Sequence, residues 1–143
     1  MIYIDTSALL PYYRTEPATE RVQAMLQHLR EPALISVLTE VEVASALARW
    51  VRGGEITESD AKRISTAFKE DLNEGRFERC PLSAHHFKRA QRWIEGRQAP
   101  LKTLDALHLA SAASEGAELV TEDRALLRAA ATLGVAARAA GRL

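Results

Sequence analysis

The sequence predicts an α/β protein built on a parallel sheet with helices covering both faces. Two observations carry that prediction. Short runs of β-forming residues alternate with longer helix-type segments along the chain, and no linker, repeat or low-complexity stretch interrupts the alternation. The length of 143 residues suits one domain over 1–143, large enough to bury a core without disulfide or metal staples.

Each element follows from local chemistry. Met1–Asp5 is an apolar run of β-formers, and Thr6-Ser7 after it suit a helix start. Pro17 fits the first turn of a second helix running to about Arg30. Ala33–Ser36 reads as a strand, followed by a helix over Leu38–Arg52 that Gly53-Gly54 stops. Thr57-Glu58-Ser59-Asp60 is a capping-box pattern with Asp in the Glu position, opening a helix to about Asn73. Phe77–Pro81 is a third strand, and Ser83 can cap a helix through about Gly96. Past Pro100, Thr103 can cap Leu104–Glu115, an almost wholly apolar and therefore buried helix. Glu118–Thr121 reads as a strand, Asp123–Leu133 as a helix and Gly134–Ala137 as a last strand.

Composition narrows the function. Hydrophobic residues make up 47% and charged residues 27%, the balance of a folded aqueous protein, and no apolar run approaches a membrane span. The opening residues lack the basic and apolar regions of a signal peptide, so a cytoplasmic protein without membrane contact is expected. Cys80 is the single cysteine, which excludes an internal disulfide and a cysteine-rich zinc site. A formal net charge of zero argues against non-specific coating of nucleic acid. The charge is nevertheless split: residues 1–78 carry a balance of −4 and residues 79–143 a balance of +4. An acidic site beside a basic surface fits that split.

In open α/β sheets ligands bind beyond the carboxyl ends of the strands. Asp5 closes the first strand, Glu42 lies in the helix after the second, Asp105 sits in the first turn of the buried helix, and Asp123 follows the strand ending at Thr121. Asp5 and Asp123 also suit plain helix capping, and Glu42 an amphipathic surface. Against the last, Val41, Val43, Ala44, Ala46, Leu47 and Ala48 leave only Glu42, Ser45 and Arg49 as a polar stripe. Asp105 precedes Ala106-Leu107-His108-Leu109-Ala110, where an uncompensated carboxylate is costly. His108 itself reads as a satisfied core histidine. Converging carboxylates repel by roughly 4 kcal/mol per pair at about 4 Å and an effective dielectric near 20, so they need a compensating charge. Oxygen-only ligands select a hard cation, Mg²⁺ or Mn²⁺.

Four stretches resemble the PIN-domain family, and within it the VapC-type toxins: Tyr3-Ile4-Asp5-Thr6-Ser7-Ala8-Leu9, Ser36-Val37-Leu38-Thr39-Glu40-Val41-Glu42, Leu104-Asp105-Ala106-Leu107-His108-Leu109-Ala110 and Leu119-Val120-Thr121-Glu122-Asp123. The resemblance implies a three-layer α/β/α sandwich with a central, mainly parallel sheet of four to five strands. It implies an acidic quartet of Asp5, Glu42, Asp105 and Asp123 as catalytic and metal-holding residues, with hydroxyls from Thr6, Ser7 and Thr121 beside it. Glu40 lies about 160° round the helix from Glu42; between Glu122 and Asp123 loop geometry decides, and Asp123 is favoured.

The activity implied is a Mg²⁺- or Mn²⁺-dependent endoribonuclease, the toxin of a VapBC-like pair, leaving a 5′-phosphate and a 3′-hydroxyl. The alternative is a catalytically silent PIN-fold module that binds RNA or protein. Other readings fare worse. A HAD-type phosphatase wants a second Asp where Ser7 stands, a receiver domain wants a Lys after a late strand, and flap-nuclease relatives carry insertions for which 143 residues leave no room. For RNA, the basic segment Lys88, Arg89, Arg92, Arg97 and Lys102 with Trp93 interleaved is a platform candidate, equally readable as a solvated face, and Arg49 is a further phosphate contact or a neutraliser of the quartet. The resemblance also implies a homodimer and a cognate antitoxin. The apolar stretch Leu9-Leu10-Pro11-Tyr12-Tyr13 is the candidate docking groove, with Leu9, Tyr12 and Tyr13 as contacts and core packing as the competing role.

Overall fold

The computed structural model describes residues 1–141; the last two residues of the expected domain lie outside them. The strands are β1 (Ile2–Ile4), β2 (Ala33–Ser36), β3 (Phe77–Cys80), β4 (Glu118–Val120) and β5 (Ala137–Arg138). The helices are α1 (Thr6–Tyr13), α2 (Thr19–Gln27), α3 (Val37–Arg52), α4 (Glu58–Asn73), α5 (Ala84–Gly96), α6 (Thr103–Ser114) and α7 (Arg124–Leu133). All five strands pair in parallel, in the order β3-β2-β1-β4-β5. The chain therefore builds outward from β1 through β2 to β3, then returns to the other side of β1 for β4 and β5. Such a reversal opens a crevice at the carboxyl ends of the two strands that flank it, here β1 and β4.

Side-chain alternation along β1 assigns the two faces. Ile2 and Ile4 join Ala8, Val22, Val43, Leu47, Trp50, Ile64 and Phe68 in one core beneath α1 to α4. Tyr3, pointing the other way, joins Leu34, Leu109, Leu119 and Leu126 in a second core beneath α6 and α7. This is the three-layer sandwich expected. No helix among the described residues is long and apolar enough to cross a membrane.

Boundaries differ where a different residue wins the cap. Asp5, not Thr6 or Ser7, caps α1, accepting from the Ala8 N–H. The second helix starts at Thr19 because the Thr19 hydroxyl folds back to Pro11 O and Arg14 O, holding residues before it in a turn. Lys102 takes the cap position of α6 and Thr103 its first turn. Gly134, at φ 74, ends α7 in a left-handed cap, which delays β5 to Ala137.

Two expectations need correction. The α3 helix is apolar beyond its core face: Val37, Val41, Ala44 and Ala48 form an exposed stripe, while Val43, Ala46, Leu47 and Trp50 face the core, so Glu42 sits on an amphipathic helix whose solvent face is itself partly apolar. Leu9 is fully buried in the first core, so it cannot line a surface groove. Because α1 runs away from Asp5, Tyr12 and Tyr13 lie about 10 Å along its axis, at about 1.5 Å per residue. Both are half-buried, with the Tyr13 hydroxyl donating to Asp71 at 2.6 Å and the Tyr12 hydroxyl accepting from Arg76 at 3.3 Å. The apolar run packs α1 onto the sheet and α4 rather than leading to the acids.

Leu9→Ala should accordingly cost about 2–5 kcal/mol of folding free energy in a denaturant titration. A loss within about 0.5 kcal/mol, the usual surface range, would return Leu9 to the surface role.

Candidate active site

The site begins with sheet register. Ile4 pairs with Val120, and the Asp5 N–H donates to Val120 O, so the next residues on the two strands, Asp5 and Thr121, meet at the crevice. Asp5 is only 3% exposed. Its Oδ2 accepts from the Thr121 hydroxyl at 2.6 Å, and its Oδ1 accepts from the Ser7 hydroxyl at 2.8 Å and the Ala8 N–H at 3.1 Å. Each hydroxyl has a single proton and uses it on Asp5. The 3.1 Å approach of the Ser7 and Thr121 oxygens is therefore contact without a further bond. Those oxygens in turn accept the Glu122 and Asp123 N–H groups, fixing the loop after β4.

Glu42 is half-buried on the second turn of α3. Its Oε1 accepts from the Thr6 hydroxyl at 2.7 Å and also meets His108 Nε2. Burial acts to raise this carboxyl, but the hydrogen bonds from His108 and from the Thr6 hydroxyl hold it below its ordinary value. Asp105, half-buried on α6, is raised by desolvation and then by the charges of Asp123 and Glu42, against the pull of His108 and Lys102. Asp105 is thus close enough to feel the charges of both Asp123 and Glu42.

The loop after β4 separates its two acids. Glu122 accepts from the Ala140 N–H at 3.0 Å and pairs with Arg21 at 3.4 Å, tying down the segment beyond β5. Asp123 caps α7, with both N–H bonds, from Ala125 and Leu126, falling on Oδ1. Capping and site placement coexist in this residue, and the carboxylate felt at Asp105 is that of Asp123.

Donor chemistry fits a hard divalent cation. The bonds to Glu42 and Asp123 each occupy one oxygen and leave Oε2 and Oδ2 outside them, and none of the causes acting on Asp105 is a hydrogen bond. As the side chains stand, no three His, Cys, Asp or Glu among the described residues are arranged to hold one ion, so Asp105 and Asp123 would have to reorient toward the pinned Asp5 and Glu42 to complete a coordination shell.

The other expected residues are more scattered. Lys102 is at the site, its charge acting on Asp105. Arg49 is exposed on α3, two turns beyond Glu42. Lys88 and Arg92 are exposed on α5. Trp93 packs against the second core with the Arg89 guanidinium 5.1 Å over its ring, so its face is already covered. Two features escaped the sequence reading. His108 is core, 2% exposed, as its apolar neighbours imply, yet it touches an acid of the site. Arg124 and Arg128, with Arg21 and Glu122, line a groove of about 570 Å³ on the Glu122 side of the loop; the i, i+4 basic pair after Asp123 was the available signal.

Burial pushes the Asp5 carboxyl up to about 6 in spite of its three donors. A folded value above the unfolded one means that the protonated form is favoured by folding. The corresponding stability is fully present below about pH 4 and is lost as pH rises through about 6, amounting to about 3 kcal/mol. In chelator, Asp5→Asn should flatten the dependence of the thermal midpoint between pH 4 and 7 and raise the midpoint at pH 7. An unchanged slope would assign the titration to another group.

The comparisons with known proteins agree with this architecture. The PIN domain family model matches residues 2–132. Among solved structures, FitAcB from Neisseria gonorrhoeae superimposes with a TM-score of 0.71 at 21% identity, each chain covered over 100%. VapBC-1 from nontypeable Haemophilus influenzae gives 0.70 at 15%, covering 99% of this chain and 100% of the other. VapC20 of Mycobacterium tuberculosis, described as a sarcin-ricin loop cleaving toxin, gives 0.68 at 12%, covering 90% and 95%. No curated protein matches by sequence. At these identities the structural likeness speaks for the fold; the family model, spanning nearly the whole chain, makes this chain a member of the PIN-domain family.

Proposed function

We propose that this protein is a Mg²⁺- or Mn²⁺-dependent endoribonuclease, the toxin of a VapBC-like toxin–antitoxin pair. The observation that carries the reading is Asp5 buried at the β1–β4 crevice in a chain that the PIN-domain family model spans, with Asp105 near enough to feel the charges of Asp123 and Glu42 in support. The structural relatives described as toxins or toxin–antitoxin complexes support the biological half of it.

In this reading Asp5, Glu42, Asp105 and Asp123 would hold the cation. When bound, the ion would activate water and neutralise charge developing on the scissile phosphate. Asp5 is held for that task by Thr121, Ser7 and Ala8, and Glu42 by Thr6 and His108. Lys102 and Arg124, flanking Asp105 and Asp123 in the chain, would receive the neighbouring phosphates. A cognate antitoxin and a second copy of the chain are proposed partners on the family resemblance, the exposed α3 stripe being apolar surface available to the latter.

Asp105→Asn, which removes a charge but no hydrogen bond, should leave the fold intact and lower RNA cleavage by at least about a hundredfold, and excess EDTA should abolish wild-type cleavage. Retained cleavage by the purified variant, or in EDTA with trace metal excluded, would remove the mechanism. RNA binding that persists without any cleavage would instead favour the silent binding module.

The basic residues separate by position. Reversing Lys102 or Arg124 to Glu should weaken RNA affinity more, and flatten its salt dependence more, than reversing Arg89 and Arg92 together. Equal effects would restore α5 as the main platform.

A further inference from the structure

A buried imidazole whose two nitrogens are both engaged, one by a phenol and one by an acid of the site, is more than core filling. His108 lies on α6 one turn after Asp105 and is 2% exposed. Its Nδ1 is 2.7 Å from the Tyr3 hydroxyl, and its Nε2 meets Glu42 Oε1. A carboxylate only accepts, so Nε2 must carry a proton. Tyr3 is fully buried, and desolvation pushes its phenol well above the ordinary range, keeping it an O–H donor. A donor at Nδ1 leaves the proton of the neutral ring on Nε2, the form in which the Tyr3 and Glu42 contacts are both satisfied.

We propose that His108 is the positioning residue of the site: the relay Tyr3–His108–Glu42 pins Glu42 by Oε1 and leaves Oε2 aimed into the acidic crevice for a divalent cation. The Thr6 hydroxyl acts on the same oxygen from α1. Two donors from different elements, both on Oε1, fix the rotation of the carboxylate and so the direction of its free oxygen. A histidine serving the core alone would be satisfied by backbone or by neighbouring hydroxyls and would not need to reach α3. The metal half of the proposal rests on the nuclease reading above; the relay itself does not.

The experiment uses the full chain with Mn²⁺ as the probe. His108→Leu fills the same space without a donor, His108→Gln keeps an N–H, and Tyr3→Phe frees the tautomer. His108→Leu should bind Mn²⁺ about ten- to a hundredfold more weakly, as loss of an orienting partner typically does. His108→Gln should recover part of that loss, and Tyr3→Phe should fall between it and wild type. A folded His108→Leu with wild-type Mn²⁺ affinity overturns the proposal, as does a His108→Gln no better than the leucine variant. Imidazole nitrogen NMR of the metal-free wild type supplies the check that needs no variant to fold: the proton should sit on Nε2, and a proton found on Nδ1 alone overturns the relay. If the wild type neither binds Mn²⁺ nor cleaves RNA, the nuclease reading and the cation-aiming role fall together, and the NMR signal still decides the relay.

Discussion

The placement of one carboxylate, Asp5, at the end of a strand buried on both faces constrains most of what surrounds it. A buried acid without donors would lose more in desolvation than the fold could return. The register of β1 against β4 supplies the first donor, Thr121, and the turn into α1 supplies Ser7 and the Ala8 N–H. The same two hydroxyls then accept the Glu122 and Asp123 N–H groups. Compensating one acid therefore sets the conformation of the loop that delivers another. The compensation is incomplete, since burial still outweighs the donors and raises the Asp5 carboxyl. A fold that leaves this residual cost at its crevice is one whose site is not built for stability alone.

Strand parity extends the arrangement to the other side. Ile2 and Ile4 face the α1–α4 layer, which leaves Tyr3 facing the α6–α7 layer, where His108 waits on the helix that also carries Asp105. Glu42 comes from α3 and is held by α1 through Thr6 and by α6 through His108. Asp5 and Glu42 are thus held by hydroxyls and one imidazole rather than by arginines. Guanidinium partners would neutralise the carboxylates permanently; hydroxyl donors orient them and leave their charge available.

Much of this was legible in the residues. The alternation of strand and helix, the five strands, and the acids at strand-to-helix transitions follow from periodicity and from where α/β crevices form. What was not legible depended on three-dimensional neighbours. Nothing in Leu104–Ala110 says that His108 faces an acid on a helix 66 residues earlier. Leu9 and Val41 have similar apolar character, yet the first is core and the second is 67% exposed, because burial depends on which helices pack against which faces. Trp93 and Arg89 sit one helical turn apart and satisfy each other, which a charge count reads as a free basic face with an aromatic in it. The choice between Glu122 and Asp123 turned on the Ala140 N–H and Arg21, both distant in sequence.

The neutral total charge acquires a meaning once the acids are located. At physiological salt, fields from exposed charges fade within about 8 Å, so the balance over the whole chain matters less to a polyanion than the order of charges along the lip of the crevice. Lys102 stands three residues before Asp105, and Arg124 directly follows Asp123. Both cations are exposed while their acids are half-buried. On the reading proposed above, a phosphate approaching from solvent would therefore meet these exposed cations before the half-buried carboxylates. Screening weakens attraction at the rim, whereas the partly desolvated acids keep more of their repulsion inside. For the reading proposed above, that ordering demands a compensating positive charge within the crevice before a phosphate can enter. The same condition holds whether that charge is an ion or a basic side chain offered by a partner, so occupancy of the crevice is where activity and its inhibition would compete.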